Sequence, residues 1–149
     1  MTSLFKLITA PLMAFALLIA PAYADEVDRT DPSATAIGFL KAFKAKDVVA
    51  MAEFSNAENR EMFDDLAANG EASKVYNNVF RGWRFESASA WDGSVGQVRY
   101  RKGDAIVPFH EMEGDEIAVV VLTLENGIWG LEDINSPSKS RLESLPTSP

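Results

Sequence analysis

Ile117-Ala118-Val119-Val120-Val121-Leu122-Thr123-Leu124, continued by Glu125-Asn126-Gly127 and Ile128-Trp129-Gly130-Leu131, decides the fold of this chain. Eight β-branched and aliphatic residues with almost no polar interruption read as a strand covered on both faces, the centre of a sheet. Asn126-Gly127 supplies two residues that tolerate positive φ, so a tight antiparallel hairpin joins this strand to the next. Upstream, Ala105 to Met112 is a further strand, with Pro108 marking an edge or a bulge because proline cannot donate to a ladder. Val95 to Arg101 alternates and ends at Lys102-Gly103. Trp83, Phe85, Ser87, Ser89 and Trp91 also alternate with Arg84, Glu86, Ala88 and Ala90, and Asp92-Gly93 closes the segment as a turn. The expectation is a meander of about five antiparallel strands.

Before Trp83 the period is 3.6 rather than 2. Thr30-Asp31-Pro32 starts a helix in which Ala36, Phe39, Leu40 and Phe43 form one buried stripe and Lys41, Lys44 and Lys46 face out. Asp47 caps a short second helix through Phe54, with Val48, Met51 and Ala52 inward. Ser55-Asn56 opens a third, whose inner side carries Met62, Phe63, Leu66 and Ala67 and which Asn69-Gly70 ends. Ala72, Val75, Tyr76 and Val79 suggest one more. Helices first and strands afterwards predict an α+β domain over residues 25–136, with N-terminal helices packed on a curved, mostly antiparallel sheet. Strong curvature would make it cone-shaped around an apolar interior. Residues 25–30 read as a flexible leader. Residues 137–149, rich in Ser, Pro, Lys and Glu, read as a flexible tail.

Residues 1–24 have the three parts of a secretory signal peptide: Lys6, an apolar run from Leu7 to Ala20, and Ala22-Tyr23-Ala24 as the cleavage site. The run is shorter than the ~20 residues a membrane span needs, and Pro11 interrupts it. Cleavage after Ala24 leaves 125 of the 149 residues and places them in the periplasm or outside the cell. With no cysteine, the chain has neither a lipid-anchor site nor a disulfide framework, so packing alone must stabilise it. All 22 acidic residues but only 13 of the 14 basic ones follow Ala24, giving the mature chain a charge of −9. Such a surface repels nucleic-acid phosphates and anionic membranes, which argues against both as partners.

The stretch Ala36 to Met51, with a helix, a charged turn, Asp47 and an apolar second helix, resembles the opening of the nuclear transport factor 2-like (cystatin-like α+β cone) superfamily. Leu122 to Leu131 resembles the final hairpin of the same cone, and the likeness runs from about residue 31 to 136. The resemblance implies a cone with an inward ligand space, and dimerisation through the outer sheet face as a usual arrangement. Members include ketosteroid isomerase, polyketide cyclases, dehydratases and non-catalytic binding proteins, so the fold leaves the function open. Catalytic members carry an Asp or His inside the cone, often with a Tyr. Here Phe39 and Phe43 stand on the first helix where such an enzyme carries a polar group, which weighs against catalysis.

His110, the one histidine, is the candidate general base or acid. Arg99 and Arg101, two apart on one strand, suit a ligand carboxylate or phosphate, or alternatively ion pairs with Glu86 and other acids. Trp83, Tyr100 and Tyr76, with Trp91, Trp129 and Phe85, suit either the wall of an apolar ligand cavity or a packed core. Asp47 is a helix cap before it is a functional carboxylate. The sequence has no metal-ligand cluster, glycine-rich phosphate loop, nucleophile elbow or calcium loop, and so indicates no cofactor. The reading is an exported, non-catalytic domain that binds a small apolar ligand or a protein partner, with Trp83, Tyr100, Arg99 and Tyr76 as candidate contacts. The alternative is a cofactor-free isomerase, dehydratase or cyclase using His110 or a buried Asp. A third reading, a purely structural or inhibitory partner domain, predicts a filled interior and an exposed apolar patch on the sheet.

Overall fold

A computed structural model describes residues 27–149; the signal peptide expected at 1–24 lies outside them. Helix α1 (Pro32–Lys44) begins where Asp31 accepts a hydrogen bond from the Ser33 N–H at 2.9 Å, and Pro32 occupies its first turn. Its buried stripe contains Ala36, Phe39, Leu40 and Phe43, and Lys41 and Lys44 lie in the last turn, where cations complement the helix dipole. Helix α2 (Val48–Glu53) is capped by Asp47, which accepts from the Ala50 N–H at 3.1 Å. Helix α3 (Ala57–Asn69) is capped by Asn56, accepting from the Asn59 N–H at 2.9 Å. It buries Phe63 and Leu66, but Ala67 is exposed, because the contact stripe is narrower than the sequence suggests. Gly70 ends α3 at φ 55°. A 3₁₀ turn (Gly70–Ala72) and helix α4 (Tyr76–Phe80) replace the single helix expected there.

Residues 83–90 correct the sequence reading. They form helix α5 (Trp83–Ala90), not a strand. The alternation of Trp83, Phe85, Ser87, Ser89 and Trp91 coexists with a helical pattern in which Ser87, Ala88 and Trp91 are buried. Alanine and serine lack the β-branched bulk that favours a pleat, and their small size lets α5 pack closely on α1.

The sheet therefore has four strands, not five: β1 (Arg99–Arg101), β2 (Asp104–Glu111), β3 (Ile117–Glu125) and β4 (Ile128–Asn135), in the order β1-β2-β3-β4. All neighbours are antiparallel, and the sheet is open rather than closed on itself. The expected central strand, β3, is interior. The β3–β4 turn uses Asn126 at φ 51° and Gly127 at φ 80°, as the Asn-Gly pair requires. The register of β2 against β3 shifts between Pro108 and His110, so Pro108 does mark a bulge. β1 is shorter than the expected strand from Val95, and residues 95–98 run outside the ladder.

Ala105, Val107, Phe109, Ala118, Val120, Leu122, Trp129, Leu131 and Ile134 face the helices and close the main core with Phe39, Leu40, Phe43, Met51 and Phe63. The junction of α2 and α3 is stitched to β4. The Leu131 N–H donates to the Phe54 carbonyl at 2.8 Å, and the Asn56 N–H donates to the Leu131 carbonyl at 3.0 Å. Arg29, in the expected leader, also docks on β4: the Trp129 N–H donates to its carbonyl at 2.8 Å, and its guanidinium donates to the Trp129 carbonyl at 2.9 Å.

The opposite sheet face carries Ile106, Val119 and Val121, and the last residues cover it. The segment expected as a flexible tail contains helix α6 (Lys139–Glu143), capped by Ser138. Its Leu142 is 6 % exposed and packs on that patch. Low overall hydropathy hid one well-placed apolar residue. Among the described residues no helix is long and apolar enough to cross a membrane.

Candidate functional site

The four residues singled out for ligand contact do not meet. Tyr76 packs edge-on to Phe80, ring centroids 5.2 Å apart, beneath the ammonium of Lys46. Trp83 lies under the Arg84 guanidinium, 4.9 Å from its ring centroid. Tyr100 faces the core beside Trp129 at 6.5 Å. Arg99 is spent on the C-terminal segment, donating to the carbonyls of Leu145 at 3.0 Å and Glu143 at 3.3 Å. Rings fill the space among helices α1, α4 and α5: Phe43 sits 5.7 Å from Phe39, 6.0 Å from Phe80 and 5.3 Å from Phe85.

His110 is half-buried at the end of the sheet, just past the bulge. It borders an open depression of about 520 Å³ with Asp92, Ser94, Pro108 and Glu111. Among the described residues its ring makes no hydrogen bond, so no side chain or carbonyl orients it. Asp92 is held below the usual carboxylate range, first by the Ser94 N–H and then by the Ser94 hydroxyl. That carboxylate serves a local turn, with bonds of 2.9 and 2.7 Å. No group of three or more His, Cys, Asp or Glu residues is placed to hold a metal ion among the described residues.

A larger and more apolar recess lies between α1 and α2. It encloses about 800 Å³ and is lined by Ala34, Ile37, Gly38, Ala42, Ala50 and Phe54, among others. Helical spacing builds it: Ala34, Gly38, Ala42 and Ala45 fall on one stripe of α1, beside the bulky stripe that enters the core. Gly38 is required there, since a Cβ would stand 2.5 Å from the Phe54 ring. With no Cβ in the way, Phe54 packs against α1 at Gly38, 1 % exposed. Lys41, Asp28 and Asp47 stand at the margin. Asp47 is committed to capping α2, and Asp28 to the hydroxyl and N–H of Thr30 at 2.6 and 2.9 Å. Those two bonds, the hydroxyl first, hold the Asp28 carboxyl below its ordinary value. Lys41 forms no ion pair among the described residues. The period that gives the core stripe also gives this small-residue stripe, so the recess had a signal in the sequence. What the sequence lacked was the distance between α1 and α2.

No family model, no curated protein and no solved structure matches this chain.

Proposed function

We propose that this chain is an exported, non-catalytic binding domain that takes a small apolar ligand in the recess between α1 and α2. The observation that carries the reading is the recess itself: about 800 Å³, walled by alanine, glycine, isoleucine and phenylalanine. That volume and lining suit a small-molecule site. The ring-filled interior and the unassisted His110 favour binding over the isomerase, dehydratase or cyclase alternative. The nuclear transport factor 2-like resemblance, with its curved cone, is the architectural part of the same proposal. It rests on the order of helices and strands and on the Asp47 and Asn126-Gly127 turns.

The test uses the apolar dye 1-N-phenylnaphthylamine and the mature chain beginning at Asp25. Dye fluorescence should rise saturably with the wild-type protein. Ala45→Trp places an indole at an exposed position of the recess, so it should abolish the rise while leaving the melting temperature within a few degrees. Equal dye binding by both proteins would overturn the assignment, as would no binding by the wild type. Export is checked separately: the full-length chain expressed in a Gram-negative host should yield a periplasmic species whose mass begins at Asp25.

A further inference from the structure

On the sheet face away from that recess, a second cavity of about 420 Å³ opens between the sheet and the C-terminal segment. Its apolar wall is Ile106, Val119, Val121 and Leu142, all buried, with Leu145 half-buried beside them. Its polar lining includes the exposed Arg101 and Arg141, one contributed by β1 and the other by α6. The chain has 22 acidic and 14 basic residues, yet among the described residues only Arg84 pairs its guanidinium with a carboxylate. Asp104 stands opposite Arg101 in the β1–β2 register, and Glu143 follows Arg141 by two residues. Even so, among the described residues neither Arg101 nor Arg141 forms an ion pair or a side-chain hydrogen bond. Arg29, Arg60, Arg84 and Arg99 instead donate to backbone carbonyls, and Arg81, which shows no side-chain bond among the described residues, does not line this cavity.

The wall formed by α6 is anchored at both ends. The Lys139 N–H donates to the Asp115 carbonyl at 2.8 Å, and the Lys139 ammonium pairs with Glu111 at 3.3 Å. At the other end Arg99 holds the carbonyls of Glu143 and Leu145, and the Tyr100 N–H donates to the Pro146 carbonyl at 2.9 Å. The cavity is thus a fixed slot rather than a gap under a loose end. A slot with an apolar floor and a polar rim that carries two guanidinium groups without a protein partner matches an apolar body that bears one anionic head.

We infer that this slot binds a small amphiphilic monocarboxylate, its chain against Ile106, Val119, Val121 and Leu142 and its carboxylate held by Arg101 and Arg141. Octanoate is the probe, followed by methyl chemical shifts of the mature chain. Saturable shifts should be confined to Ile106, Val119, Val121, Leu142 and Leu145. Octanol, which has the same chain without the charge, and inorganic phosphate, which has charge without the chain, should each bind at least tenfold more weakly. Arg101→Gln and Arg141→Gln alter exposed side chains, and each should weaken octanoate about tenfold, the scale of one charge-assisted hydrogen bond. Octanol or phosphate binding as tightly as octanoate would overturn the inference. So would octanoate shifts centred on the α1–α2 recess, or unchanged affinity in the Arg101→Gln, Arg141→Gln double variant. None of these outcomes depends on dye binding at the recess.

Discussion

Gly130 shows how closely one residue can be specified by its neighbours. It lies on β4 where the chain between α2 and α3 crosses the strand. A Cβ there would stand 2.7 Å from the Asn56 nitrogen and 2.9 Å from the Ser55 carbonyl carbon. Both are backbone atoms fixed by the Phe54–Leu131 and Asn56–Leu131 hydrogen bonds, so no side chain can swing away. Gly130→Ala should lower stability by about 1–3 kcal/mol, the cost of overpacking, read as a shift in the urea midpoint. An unchanged midpoint would mean that the crossing is looser than its bonds imply. Two residues on, Glu132 accepts a hydrogen bond from the Asn56 side chain. Its carboxyl is pushed above the usual range, first by desolvation and then by Glu58, Asp104, Asp133 and Glu125. A raised carboxyl keeps a proton in the native state that the unfolded chain has already released. Stability attributable to Glu132 therefore falls as pH rises from the ordinary glutamate value through the raised one. Glu132→Gln should flatten that fall in urea midpoints taken between about pH 4 and 7. A variant with the wild-type slope would remove Glu132 as its source. Neither contact was legible in the sequence, because both depend on residues some 75 positions apart.

Helix α2 has six residues, too short to persist on propensity alone, so its cap and its packing carry it. Asp47→Ala removes the acceptor of the Ala50 N–H and should cost about 1 kcal/mol. Asp47→Asn, which also caps, should recover most of the loss; thermal unfolding of the pair checks this. If Asn fails to rescue, the carboxylate charge rather than the cap is what matters at this turn. Capping signals of this kind made α1, α2 and α3 legible, since Asp31, Asp47 and Asn56 each stand one residue before a helix. The Asn126-Gly127 pair did the same for the β3–β4 hairpin. Residues 83–90 carried no such signal. Gly82 makes no side-chain cap, and the alternation of Trp83, Phe85, Ser87 and Ser89 matches the period of a strand. Packing of Ala88 against the main core decided in favour of helix, and that contact involves distant residues.

The molecule places its apolar surface on both sides of one sheet. Among the described residues six α-helices and four strands give a large core on one side and a small patch on the other. The sequence showed the large side, because its residues repeat along α1 and β3. It did not show that Leu142, alone in a polar segment, covers the small one. Leu142→Asp puts a charge against Ile106, Val119 and Val121 and should release α6 from the sheet. Amide hydrogen exchange over residues 139–146 should then accelerate at least tenfold, while the amides of β3, protected by the main core, stay slow. The uncovered patch should drive self-association, seen in sedimentation velocity as a weight-average mass that rises with concentration in the variant more steeply than in the wild type. A variant with wild-type exchange at 139–146 would show that the anchors at Lys139 and Arg99, rather than Leu142, hold the segment. Faster exchange without added association would show that three buried aliphatic side chains are too small a patch to recruit a second copy.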